Sequence, residues 1–188
     1  MILIIGLGNP GEEFKNTRHN IGREICDAFR EQQSFSDFGF SKKFNAETNE
    51  GKIDKDKVIL ICPNTFMNKS GVAVAAVTKF YKIKLENIFI VHDDSDLPLG
   101  STKLSFARSS AGHKGVESVI KSLKTRDFWR FRVGVGSKKH VDAEKIILKK
   151  FTPKEELVVK KIIKKTVAAI EQAIKESPEK AMNFYNQN

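Results

Sequence analysis

The chain has 188 residues, 40% hydrophobic and 30% charged, which suits one soluble domain with a real core. Its 33 Lys and Arg against 23 Asp and Glu leave a formal net charge of +10, which favours a polyanionic partner, either nucleic acid or an anionic membrane surface. No stretch is apolar for the ~18 residues of a membrane span, no basic segment precedes the apolar N-terminus as in a signal peptide, and Cys26 and Cys62 form no CxxC, which predicts a cytoplasmic protein with free thiols.

Met1-Ile2-Leu3-Ile4-Ile5 reads as a buried strand, ended by the turn Gly6-Leu7-Gly8-Asn9-Pro10-Gly11. Ile21, Ile25, Ala28 and Phe29 then recur at helical spacing, predicting a helix from His19 to about Gln33. Ser34 to Gly39 reads as a loop, and Phe44–Ile53 and Lys57–Cys62 as strands around Asp54-Lys55-Asp56. Val58-Ile59-Leu60-Ile61 is apolar throughout, as a central strand is. Pro63 to Ser70 is a polar loop in which Phe66 and Met67 look exposed; Ser70 is a candidate N-cap for a helix over Val72–Tyr81.

Ile88–Val91 predicts another buried strand, ending in the polar cluster His92-Asp93-Asp94-Ser95-Asp96-Leu97-Pro98. Ligands of open α/β sheets usually sit at that edge. Thr102–Phe106 reads as a strand, and His113-Lys114-Gly115 opens a helix through Leu123. Phe131–Val135 alternates as a strand. Val159, Ile163, Val167, Ile170 and Ile174 form one face of a long helix whose other surfaces carry Lys160, Lys161, Lys164 and Lys165. Ten lysines between Lys138 and Lys165 face four acidic residues, so +6 of the net charge lies in that stretch. Ser177-Pro178 marks the start of a last short helix. The alternation predicts an α/β fold: a single domain, a twisted mixed β-sheet flanked by helices, with basic C-terminal helices over about 142–188.

His19, at the mouth of the first β-α connection, is either a general base or a capping or packing residue, and position alone leaves both open. Gly6-x-Gly8-x-x-Gly11 formally matches a dinucleotide fingerprint, but Pro10 lies inside the turn, the helix starts late, and no acid-tipped second strand follows about 20 residues on. Asp93, Asp94 and Asp96 could bind a divalent cation; the simpler arrangement has one aspartate orienting a histidine. Strand alternation should point His92 away from Asp93, His113 reads as structural, and His140 as solvated. No GxSxG is present, and neither cysteine has a nucleophile's setting, so His19 with an aspartate suits activation of water.

Four motifs in order, Gly6–Gly11, Thr17-Arg18-His19-Asn20-Ile21-Gly22, Pro63–Gly71 and His92–Pro98, resemble the bacterial peptidyl-tRNA hydrolase family over roughly residues 1–136. The resemblance implies a monomeric, metal-free and cofactor-free enzyme that cleaves the ester between a peptide and the 3′ end of tRNA. By the same resemblance His19 deprotonates water, Asp93 holds and polarises His19, Asn9 and Asn68 bind the peptide near the ester, and Phe66 and Met67 wall the cleft. Two residues depart from the family's pattern. Phe14 stands where tyrosine is expected, and Lys114 where asparagine is, so both substrate contacts change character: lysine donates but cannot accept. The alternative is a catalytically inactive RNA-binding homologue of the same fold.

Overall fold

A computed structural model of the chain describes residues 1–136 and 146–187. Seven strands form one mixed sheet: β1 (Ile2–Gly6), β2 (Gly39–Ser41), β3 (Ala46–Ile53), β4 (Asp56–Pro63), β5 (Ile88–Pro98), β6 (Thr102–Phe106) and β7 (Trp129–Gly136). Their order is β2-β3-β4-β1-β5-β7-β6. The central pairs β4–β1, β1–β5 and β5–β7 are parallel, and the outer pairs are antiparallel. β1, Val58–Ile61 of β4 and Ile88–Val91 of β5 are apolar on both faces, as a sheet covered on both sides requires; every residue of β1 is buried.

Helices α1 (Ile21–Gln32), α4 (Pro153–Lys175) and α5 (Pro178–Tyr185) cover one face over Ile4, Leu60, Val91 and Phe131. Helices α2 (Ser70–Tyr81) and α3 (Lys114–Leu123) cover the other over Ile5, Ile61 and Ile90. Each fully buried Ile or Phe contributes on the order of 1.5–3 kcal/mol, so the two faces together hold the sheet. Gly22 lets α1 lie against the sheet: a Cβ there would stand 2.3 Å from the Val91 carbonyl oxygen. That close approach brings the start of α1 over the C-terminal ends of β1 and β5.

Several boundaries differ from the sequence reading. The polar cluster does not end the fifth strand; β5 runs on through it to Pro98, because Asp93 and Asp94 still pair with Val133 and Gly134 of β7. Gly39, read as the end of a loop, instead opens a short edge strand, Gly39–Ser41, that pairs with β3. Ser70 is the first residue of α2, not its cap, and its hydroxyl donates to the Met67 carbonyl. Met67 is not exposed: it sits in the core between α2 and α3 at 5% exposure. Ser177 does cap α5, accepting from the Lys180 N–H. Val159, Val167, Ile170 and Ile174 are buried as the spacing predicted, whereas Ile163 is only half-buried and Ile162 is buried beside it. Lys160, Lys161 and Lys164 are exposed, whereas the Lys165 ammonium donates to the Gln187 carbonyl at 2.7 Å. Lys138, His140 and the proposed start of the helical part at 142 lie outside the described residues.

Candidate active site

Three segments meet at the C-terminal edge of the parallel strands: the turn between β1 and α1, the polar stretch of β5, and the start of α3. Arg18-His19-Asn20 forms a single 3₁₀ turn that feeds α1, and all three residues are buried. The His19 Nδ1 lies 2.9 and 3.0 Å from the two Asp93 carboxylate oxygens. Asp93 projects from β5 at 2% exposure. The histidine and aspartate singled out in the sequence are therefore in direct contact across 74 positions of chain.

His113, read as merely structural, is part of the same cluster. Its Nε2 lies 2.9 Å from Asp93 Oδ1, and its ring centroid is 5.1 Å from that of His19. Its Nδ1 accepts from the backbone N–H groups of Gly115 and Val116, so it is the N-cap of α3. An acceptor Nδ1 forces the proton onto Nε2, and that N–H donates to Asp93. The signal was present in the sequence: a polar residue before a helical run is a cap position, and a capping imidazole has its second nitrogen free to aim elsewhere.

Asp93 thus accepts from two imidazoles. Burial alone would raise its pKa, but the hydrogen bonds from His113 and His19 hold it far below the usual carboxylate range. With Nδ1 of His19 occupied by Asp93, Nε2 is the nitrogen left to act on water. His92 does not simply turn away: its ring packs edge-on against His113 at 4.7 Å, and its Nδ1 meets the Asp93 carbonyl oxygen at 2.6 Å. Complete burial pushes its pKa well below the ordinary value, so it stays neutral beneath the site.

Asn9 lines the cleft and is fixed on three sides. Its N–H donates to Asn20 Oδ1 at 2.9 Å, and Asn20 Nδ2 donates back to the Asn9 carbonyl at 2.9 Å. Its side-chain oxygen accepts from the Met67 N–H at 2.8 Å. That last bond sets the amide's orientation and leaves Nδ2–H₂ as its end for a ligand. Asn20 was not singled out as a site residue; its role is to hold the Asn9 turn.

The cleft has a volume of about 450 Å³ and is lined by Asn9, His19, Asp93–Asp96, Ser110–Lys114, Ile147 and Leu148. Lys114 is exposed on its wall. Phe14, Phe66, Met67 and Asn68 are not part of that lining: Phe14 is half-buried on a short turn, Phe66 is 63% exposed, and Asn68 is exposed. Asp94 is engaged by Arg132, whose Nε donates to it at 2.6 Å, and accepts from the Asp96 N–H.

His19, Asp93 and His113 each offer one ligand atom, all within 4.8 Å of one another. They do not fit a metal in this geometry. The His113 nitrogen facing Asp93 must carry its proton, because the other nitrogen accepts two amides, and so it has no lone pair to give.

The His19 turn is also tied to the C-terminal part. Arg18 donates to both Glu155 carboxylate oxygens at 2.9 and 2.7 Å and lies over the Phe151 ring at 4.8 Å. Its backbone N–H donates to the Lys149 carbonyl, and Thr17 bridges Lys150. Glu155 closes a capping box with Thr152 at the start of α4.

A profile of peptidyl-tRNA hydrolases matches residues 3–188. A peptidyl-tRNA hydrolase of Aquifex aeolicus is 43% identical over 190 residues, covering 98% of this chain and 96% of its own length. One of Thermodesulfovibrio yellowstonii is 38% identical over the full length of both. The crystal structure of peptidyl-tRNA hydrolase from Acinetobacter baumannii superposes with a TM-score of 0.93 at 29% identity, covering 100% of this chain and 95% of that one. Agreement of sequence, fold and length over the whole chain places it: the chain belongs to the peptidyl-tRNA hydrolase family.

Proposed function

We propose that this chain hydrolyses the ester between a peptide and the 3′ end of tRNA, with His19 as the general base, and that it acts as a monomer in the cytoplasm. The observation that carries the reading is the His19–Asp93 contact at the edge of a polar cleft. In this mechanism His19 Nε2 takes a proton from water as it attacks the ester carbonyl. Asp93 holds the tautomer that leaves Nε2 unprotonated and stabilises the imidazolium that forms. His113 acts through Asp93, as a positioning residue that fixes the carboxylate. Asn9 Nδ2 donates to the oxyanion as it develops. Lys114, Asn68, Phe14, Phe66 and Met67 serve the substrate around that centre, Met67 through its backbone N–H on Asn9. The proton then passes from His19 to the departing ribose oxygen, which restores the base.

The ester is already reactive, so one base and fixed geometry are sufficient chemistry. The excess of ten positive charges suits the phosphates of tRNA, which give affinity, while the cleft reads the ester and peptide. The test is turnover of an N-blocked aminoacyl-tRNA. The parent should release free tRNA, and His19→Ala should bind tRNA with unchanged affinity and release almost none. A parent that binds tRNA without turnover would make the chain an inactive RNA-binding homologue. Near-normal turnover by His19→Ala would remove His19 from the mechanism.

A further inference from the structure

Asn9 stands between two clefts. The site cleft lies on one side and a second cleft, of about 460 Å³, on the other; among the described residues Asn9 alone lines both. Arg23, in the first turn of α1, borders the second cleft and not the first. It follows Asn20 by three residues, so both side chains leave the helix on one face. Asn20 bonds the Asn9 backbone directly. The Arg23 stem lies against Gly8: a Cβ there would stand 2.5 Å from Arg23 Cδ and 2.7 Å from Cγ. Its Nη1 donates to the Pro63 carbonyl at 2.8 Å. Pro63 ends β4 and begins the loop to Met67, whose N–H holds the Asn9 side-chain oxygen at 2.8 Å. Ser70 closes the far end of that loop by donating to the Met67 carbonyl at 2.9 Å. Asp27, one turn along α1, lines the same cleft and has the spacing of an ordinary helix ion pair. Arg23 reaches instead to a neutral carbonyl, on the strand that leads into the loop.

We propose that Arg23 is a positioning residue for the hydrolysis, clamping the Pro63–Met67 loop against the Gly8–Asn9 turn so that the Asn9 amide points its NH₂ at the ester; the proposal rests on the hydrolase reading above. Arg23 touches no reacting atom. It acts from behind, through the residue that separates the two clefts. Asn20 fixes the backbone of Asn9, and Arg23 fixes the loop that orients its side chain, so one face of α1 sets both. An oxyanion donor contributes only when its N–H is aimed before the charge develops, and a small displacement of such a donor costs rate rather than binding.

The test is Arg23→Met, which keeps a stem over Gly8 and removes the donor, assayed on an N-blocked aminoacyl-tRNA with the full-length protein. It should lower kcat by about ten- to a hundredfold, with KM and the pH profile of kcat unchanged. Arg23→Lys should recover most of the loss, because an ammonium on a stem of similar length can still donate to the Pro63 carbonyl. In an Asn9→Ala background, Arg23→Met should change the single-turnover rate by less than about twofold, since the group it orients is gone. A normal kcat in Arg23→Met, an effect on KM alone, or a loss of the same size with and without Asn9 would overturn the proposal. Amide hydrogen exchange gives a readout that needs no substrate. The Met67 N–H should exchange faster in Arg23→Met than in the parent, while the Asn9 N–H, held by Asn20, keeps its rate; an unchanged Met67 rate, or both rates rising in step, would also overturn it. A parent without turnover would sink the hydrolase reading, and the exchange rates would still decide whether Arg23 holds the Asn9 amide.

Discussion

Asp93→Asn should silence the enzyme through the tautomer of His19, and removing His113 should partly restore it. Asp93 accepts an N–H from His19 at 2.9 Å and one from His113 at 2.9 Å. An asparagine whose oxygen stays at the Oδ1 position that His113 donates to puts its NH₂ where Oδ2 was, 3.0 Å from His19 Nδ1, so one imidazole must present a lone pair instead. His113 cannot, because its Nδ1 already accepts from Gly115 and Val116. His19 is the ring that changes: its proton moves to Nε2, and the lone pair that should take a proton from water is lost. The expected fall in kcat is on the order of 10³–10⁴, the size seen when a triad aspartate becomes an amide, or about 4–5.5 kcal/mol of barrier. His113→Ser removes the competing donor while keeping an oxygen to cap α3. In Asp93→Asn/His113→Ser the asparagine oxygen is free for the His19 Nδ1–H. The double variant should therefore turn over faster than Asp93→Asn alone, by about tenfold or more, a gain worth ~1.4 kcal/mol. Single-turnover rates on an N-blocked aminoacyl-tRNA, with folding checked by circular dichroism, read both effects. A double variant as slow as the single one, or slower, would refute the shared-acceptor reasoning.

Four other outcomes follow from particular contacts. Burial pushes the Glu24 carboxyl from its ordinary 4.5 up to about 7. Folded and unfolded chains are both protonated there below pH 4.5 and both ionised above pH 7, so the wild type loses stability as pH rises between those values. Glu24→Gln should therefore gain on the parent through that window, by up to about 3 kcal/mol in denaturant titrations, and match it at pH 4; a gap that shrinks with rising pH would contradict this. Glu155→Ala removes a capping box and the Arg18 pair, and should cost about 1–2 kcal/mol of stability and also lower turnover by loosening the His19 turn. Charge removal at Lys160, Lys161 and Lys164 together should weaken tRNA binding and flatten its log–log salt slope by about 0.7–0.9 for each phosphate no longer neutralised, leaving single-turnover chemistry unchanged; an unaltered slope would make these lysines plain solvated surface. Lys114→Ala should raise KM, and Lys114→Asn should recover part of the loss through a neutral hydrogen bond; two variants identical to the parent would take Lys114 out of the site.

Much of this architecture was legible because the signals are local. Apolar runs such as Val58–Ile61 have room only in a sheet covered on both faces, and Ser177-Pro178 states a helix start in two residues. His19 could be singled out because it lies on the connection between the first strand and its helix, and Asp93 because it follows an apolar run directly. The misreadings share a different cause: they turn on partners far away in sequence. His113 looked structural because its second nitrogen points at an aspartate 20 residues back. Met67 looked exposed because the α3 surface that buries it comes much later in the chain. β5 outran its apolar stretch because pairing with β7, rather than hydropathy, decides where that strand ends.

The strand order also dictates a schedule for assembly. β1 is synthesised first yet lies inside the sheet, and both of its edges stay open until β4 and β5 have been made. A bare two-edged strand of Ile and Leu is prone to mispairing, and pairings so distant in sequence are slow to form. The local β3–β4 hairpin can form before β1 finds its place beside it. His19 is made early, but its carboxylate partner follows 74 residues later, and the Arg18 tie waits for Glu155, 137 residues on. A growing chain of this protein is itself an ester of tRNA. Through half of its elongation it carries His19 without Asp93, and through most of it without Glu155, so the proposed hydrolytic centre is complete only late in synthesis.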